Sequence, residues 1–291
     1  MDILEAPPGP ARAPAPPVPS VQSLDYVRPA EVVEEAARAA AVKAALPVPD
    51  LLIRGFLSGA FLGVVTSLAL TVKAQALPAI AGAVIFPVGF VLLVLLGLEL
   101  ATGSFALLPL GLAARTASWS GLARNWVWVY LGNLAGCVFY AALFYAALTS
   151  FGHTSGGPVA AQIRASALAK TTAYSKLGAQ GWWLALLKGI LANWMVTVGV
   201  IMALVTRSTI AKIAAMWLPI MTFFTLGFEH SVVNMFIIPA GMFLKAPISF
   251  GDWWFWNQIP VTIGNVIGGA VLTGLALYAT FGRQERVDAT G

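Results

Sequence analysis

Charge is scarce in this chain, and unevenly so. Of the 29 Lys, Arg, Asp and Glu side chains among 291 residues, 12 fall within the first 54 and 17 are spread over the other 237. Soluble domains carry about 25% charged residues, and 237 residues with so few could not present a wettable surface. With 59% hydrophobic residues and a mean hydropathy of +0.83, the pattern predicts an all-α integral membrane protein. The net charge of +5 comes from scattered Lys and Arg with no basic face, which argues against a nucleic-acid partner. The single cysteine, Cys137, excludes a disulfide within the chain and a Cys-based metal site, and nothing in the pattern asks for a cofactor.

Four regions follow. Residues 1–27 open with seven prolines in twenty residues and read as a disordered tail; no apolar stretch follows a basic start, so they are not a secretory signal. Residues 28–50 hold a helix over 29–45, with Pro29 at its first position and Glu31, Glu34 and Glu35 at the positive end of its dipole. It reads as a cytoplasmic surface helix facing solvent, the alternative being a helix laid on the membrane or on a neighbouring subunit. Residues 51–281 form the membrane domain, and 282–291 a cytoplasmic tail. Apolar segments near 51–72, 79–113, 124–149, 183–206, 211–244 and 257–281 make six spans, with a long outer loop between the third and fourth. About 20 apolar residues cross a bilayer, so the second and fifth segments are too long for one helix each. Both carry a polar interruption, Glu99-Leu-Ala-Thr-Gly-Ser104 and Glu229-His-Ser-Val-Val-Asn234. Such interruptions survive at membrane depth only inside protein or along a cavity, which predicts two broken helices.

The chain also repeats itself. Asn125, Gly132, Asn133 and Gly136 recur as Asn257, Gly264, Asn265 and Gly268, each 132 residues on. Glu99 and Glu229 are 130 apart, and Arg54-Gly55 and Lys188-Gly189 134 apart. Three spans per half reverse the direction of the second half, so the expectation is an inverted 3+3 repeat with broken second and fifth helices, a transporter or channel pattern. The near four-residue spacing of the glycines reads as close helix contact. Trp182-Trp183, Trp253-Trp254 and Trp256 read as interface anchors, and the excess of Lys and Arg on one side puts both termini in the cytoplasm.

Within the spans Glu99 and Glu229 are the only acids, and His230 is the only histidine. Ionisable groups at such depth are costly and usually functional. A carboxylate at a helix break has a structural use, accepting hydrogen bonds from freed backbone N–H groups. In an anion pathway an exposed carboxylate would repel the solute. Glu99, Glu229 and Asn234 are therefore assigned to holding the breaks, and His230 to the pathway.

Longer motifs carry a resemblance. Gly227-Phe-Glu-His-Ser-Val-Val-Asn-Met-Phe236 and Ile259-Pro-Val-Thr-Ile-Gly-Asn-Val-Ile-Gly-Gly269 resemble the formate/nitrite transporter family. So do Glu99-Leu-Ala-Thr102, Asn125-Trp126, Tyr130-Leu-Gly-Asn133, Gly189-Ile-Leu-Ala-Asn-Trp194 and Arg28-Pro-Ala-Glu31, in order over residues 28–281. The resemblance implies an aquaporin-like fold of six helices in a bacterial inner membrane and a homopentamer with one pore per protomer. It implies small monovalent anions as substrates: formate, nitrite or hydrosulfide. Motif by motif, it implies His230 as the central pore histidine, Asn193 as its hydrogen-bonding partner and Thr102 as the threonine of the loop breaking the second helix. Phe86 and Phe223 match the outer constriction, and Phe90 and Leu100 the inner one. An outer vestibule lysine matches Lys170 by the local wording Ala167-Leu-Ala-Lys170 and Lys176 by distance to Asn193. The chain departs from the family at Phe90, where leucine is frequent, at Ala101, where phenylalanine is usual, and at Ala192, where cysteine is frequent.

A bare anion cannot cross two apolar constrictions cheaply, but its neutral acid can. Histidine, with an ordinary pKa of about 6.5, is suited to delivering the proton, and a lysine to gathering the anion. Two rivals fit less well. An aquaporin-type neutral-solute channel requires paired Asn-Pro-Ala motifs, which the chain lacks. An intramembrane hydrolase requires a nucleophile held by a base, and Ser231, adjacent to His230, is badly placed for that. Among the anions, formate leads on family frequency.

Overall fold

The structure, a computed structural model, describes residues 25–282; most of the proline-rich tail and residues 283–291 lie outside the described residues. Among the described residues every named element is a helix. The one strand-like pairing is an isolated bridge between Tyr26 and Thr206, beside which the Val27 N–H donates to the Val205 carbonyl at 2.8 Å.

Helix α1 (Pro29–Ala45) starts on a proline, whose missing N–H is no loss in a first turn. It does not simply face solvent: Val32, Val33, Ala36 and Ala40 are buried in a cluster with Leu107, Leu108 and Leu110. The expected boundary at residue 50 falls inside α2 (Val48–Ala74). Next come α3 (Ala79–Ile85) and α4 (Pro87–Leu95), joined at Phe86, then α5 (Ala101–Ala113) and α6 (Trp119–Thr149).

The segment expected to be a long outer loop is largely helical, with α7 (Gly157–Lys170) and α8 (Thr172–Ser175). Ala160, Ile163 and Ala167 of α7 recur at helical spacing and are fully buried, with Ala167 against Gly241. Small apolar residues interrupted by Gln162, Arg164, Ser166 and Lys170 give too weak a hydropathy signal to announce a helix. The chain continues through α9 (Ala179–Met202), α10 (Thr209–Thr225), α11 (Ser231–Phe243) and α12 (Phe250–Phe281). The last turns π-helical at Trp254–Gln258 and Ala270–Leu275. Trp253, expected at the membrane interface, is buried and donates its indole N–H to Gln258.

By length and composition α2, α6, α9 and α12 are long and apolar enough to cross a membrane. They associate in two pairs, α2 with α6 and α9 with α12, and glycines set the spacing. A Cβ on Gly132 would lie 2.8 Å from the Leu52 carbonyl oxygen, and one on Gly189 2.8 Å from that of Val261. Neither backbone can yield, so only glycine allows this approach.

Between the pairs lie the short helices. Residues 96–100 and 226–230 are non-helical. Gly97 (φ +64°) and Gly227 (φ +65°) end the preceding helices in the left-handed region, where side-chain-bearing residues are strained. The residue after each glycine bonds back five positions, Leu98 N–H to Leu93 O and Phe228 N–H to Phe223 O, both features of a Schellman stop. The chain then extends through Leu100 (φ −116°, ψ 121°) and His230 (φ −115°, ψ 119°), the N-caps of α5 and α11.

Candidate functional site

The extended residues at the two breaks expose backbone donors at the start of α5 and α11. The glutamates do not take them, contrary to the expectation. Ala101 N–H donates to Asn133 Oδ1 (2.9 Å), and Ser231 N–H to Asn265 Oδ1 (2.8 Å). Each asparagine amide then donates to two carbonyls: Asn133 to Gly55 and Glu99, Asn265 to Gly189 and Glu229. The two sets use residues at corresponding places in the halves and satisfy the N–H of Ala101 and Ser231 and the carbonyls of Glu99 and Glu229, which lie at the breaks and would otherwise be orphaned.

The carboxylates are bound by side chains instead. Glu99 accepts from Lys43 Nζ (2.7 Å) and Asn125 Nδ2 (3.3 Å). Glu229 accepts from Lys170 Nζ (2.9 Å), the Tyr174 hydroxyl (2.8 Å), Asn234 (2.7 Å) and Asn257 (3.3 Å). Both acids are almost wholly buried, and a buried carboxylate requires this density of donors. Lys43 was not among the residues the sequence singled out. It lies 56 residues before Glu99, as Lys170 lies 59 before Glu229, so the repeat itself held the signal.

At the centre, His230 Nε2 lies 3.0 Å from Thr102 Oγ1, and Nδ1 accepts the Val233 N–H at 3.2 Å, capping α11. With Nδ1 accepting, the neutral ring carries its proton on Nε2 and donates it to Thr102. The starts of α5 and α11 are thereby joined. Asn193 is not bonded to the ring: its amide donates to the Thr102 and Asn265 carbonyls, at 3.1 and 2.6 Å. It holds the threonine's backbone, and through it the hydroxyl, in place. Ser231 Oγ has no hydrogen-bond partner, so it forms no nucleophile–base pair with His230.

Phenylalanines line one approach. The Phe223 ring lies 5.7 Å from that of His230 and 5.7 Å, edge-on, from that of Phe86, which stacks on Phe224. Phe223, His230 and Lys170 line a cavity of about 160 Å³. A second cavity, of about 360 Å³, is lined by Phe90, Leu100, Gly103, Lys43 and Glu99. His230 borders the first, and Leu100 and Gly103, on either side of Thr102 in the chain, border the second; Thr102 itself lines neither. Lys176 is exposed and lines neither, so the structure brings Lys170 to the site and not Lys176.

The formate/nitrite transporter family model matches residues 30–279. An uncharacterized transporter, YrhG, of Bacillus subtilis is 36% identical over 90% of this chain and 97% of its own length. A probable formate transporter of Methanothermobacter thermautotrophicus is 34% identical over 88% of this chain and 97% of its own. Among solved structures, a pentameric formate channel with formate bound superposes with a TM-score of 0.67 at 24% identity, covering 80% of this chain and 97% of that one.

Proposed function

Because this chain belongs to the formate/nitrite transporter family, a family of membrane transporters and not of enzymes, we propose that it conducts small monovalent weak-acid anions, formate foremost, across the bacterial cytoplasmic membrane. The observation that carries this reading is the buried Thr102–His230 pair, whose histidine borders one cavity while the residues flanking the threonine border the other. The chain crosses six times as two inverted halves, with both termini cytoplasmic; the matched bonds of Asn133 and Asn265 support the repeat. It assembles as a homopentamer with one pore per protomer, as the similar formate channel is pentameric. Rows of apolar residues exposed on the protomer, such as Leu184, Leu187 and Leu191, supply faces for lipid or a neighbouring copy.

In this pore Phe86 and Phe223 form the outer constriction, and Phe90 and Leu100 the inner one. Lys170 stands in the outer vestibule, and Glu99, Glu229 and Asn234 hold the breaks. Between the constrictions an anion meets an N–H donor, His230 Nε2, in place of Thr102. The anion crosses the apolar rings as its neutral acid, taking a proton that originates in the water of the entry side and releasing it to the water of the exit side, so a proton accompanies each anion. The test is uptake into liposomes with an internal pH dye, for formate, nitrite, hydrosulfide, acetate and lactate at two pH values. Formate uptake should acidify the lumen, and should rise on external acidification by more than in empty liposomes. Formate movement without acidification, with current following voltage alone, would make this an ordinary anion channel. Faster nitrite or hydrosulfide flux would replace formate as the substrate.

A further inference from the structure

The two cavities differ in charge. The larger one is bordered by Lys43, Arg54 and Glu99. Each of its cations has a carboxylate: Lys43 is 2.7 Å from Glu99, and Arg54 is 3.5 Å from Asp50. The smaller one is bordered by two cations, Lys170 and Lys73, and by no acid. Lys170 is 2.9 Å from Glu229 just behind the wall, so much of its field at a distance is cancelled. Lys73 is exposed and, among the described residues, has no ion-pair or hydrogen-bond partner. One cavity mouth therefore carries an uncompensated positive charge, and the other carries none.

We infer that Lys73 is the residue that draws small anions to the mouth of the smaller cavity, and that the two faces of the protein consequently capture anions unequally. This rests on the anion-transport reading above and assigns the long-range step to a residue that reading does not use. Lys170 then acts at short range, next to Glu229 and the pore. A positive charge at a low-dielectric mouth raises the local anion concentration and hence the rate of encounter. It cannot pump, because it speeds departure to that mouth and arrival from it in balance. Its signature is a lower half-saturating concentration on one face at low salt. The last turn of α2, where Lys73 sits, also gains from a cation through the helix dipole. That role would appear as stability and would not distinguish the faces.

The experiment compares right-side-out and inside-out membrane vesicles holding the parent, Lys73→Gln or Lys73→Arg, with initial formate influx measured across a concentration series. At an ionic strength of roughly 10 mM, where the Debye length is about 30 Å, Lys73→Gln should raise the half-saturating concentration about threefold from the face bearing Lys73. It should leave the opposite face unchanged, and Lys73→Arg should match the parent. The difference should fade near 150 mM salt, where the Debye length is about 8 Å. Unchanged half-saturation on both faces at low salt would overturn the inference. So would an equal loss of maximal rate on both faces with a lowered melting temperature. Parent vesicles no faster than empty ones would instead overturn the transport reading itself.

Discussion

At the scale of single residues, the arrangement around His230 commits its two nitrogens to different tasks. Nδ1 is occupied by the first turn of α11, so only Nε2 is left for another partner, here Thr102, whose place an anion takes under the proposed function. His230→Phe keeps the ring volume and removes both nitrogens. It should abolish proton-linked formate uptake while the oligomer still assembles on a sizing column; parental uptake at pH 5.5 would remove histidine from the mechanism. Thr102→Val keeps the shape and loses the hydroxyl. Because the anion displaces that hydroxyl from Nε2, the substitution removes a competing hydrogen bond of about 1.4 kcal/mol: the half-saturating formate concentration should fall by up to roughly tenfold, and Thr102→Ser should restore the parental value. His230, Glu99 and Glu229 could be singled out from sequence because ionisable residues are rare in apolar runs. Thr102 came only through family resemblance, since a threonine in a membrane helix looks like any other small residue. The partner of Asn193 implied by the resemblance, His230, is not the one it has, the Thr102 and Asn265 carbonyls, because whether an amide meets a ring or a carbonyl is decided by less than the width of a side chain.

At the scale of elements, the short helices depend on side chains from the long ones. Asn265 on α12 satisfies the Ser231 N–H and two carbonyls, and Asn133 on α6 does the same for the first half. Asn265→Ala would leave two buried backbone groups without partners, the Ser231 N–H and the Glu229 carbonyl, each costing about 1–3 kcal/mol, while the Gly189 carbonyl keeps its bond within α9. A loss of about 2 kcal/mol or more is expected, read as thermal unfolding in detergent, and Asn133→Ala should behave alike. Melting with the parent would mean that the breaks are held by something else. The 132-residue repeat of these asparagines was plain in the sequence, but their purpose was not. A spacing tells which residues correspond, and only the fold tells what lies across from them. The helix in residues 157–170 was hidden for the opposite reason: its buried face is two alanines and one isoleucine, and Gln162, Arg164 and Ser166 between them break the apolar run.

At the scale of the whole molecule, the membrane class follows from charge scarcity, and helices rather than a closed barrel follow from continuous apolar runs of about 20 residues. Where the amino-terminal arm ends is a finer matter. The sequence put the limit of the tail at residue 27, yet Tyr26 and Val27 pair with Thr206 and Val205, in the link between α9 and α10. A chain beginning at Asp25 after an initiator methionine should assemble and conduct like the parent. One beginning at Arg28 loses that pairing and should melt at a lower temperature; equal melting of the two would show that the bridge contributes nothing.

Helices α5 and α11 have 13 residues each, too few to cross a bilayer, and they meet by their beginnings. Each contributes about half an elementary positive charge at that end. The middle of the protein is thus a hill for sodium or potassium and a saddle for an anion, without a fixed cation having to stand in the way. Discrimination by sign then owes nothing to pore diameter, and it requires both halves: with one short helix alone, a hole would remain, and much of its preference would be gone.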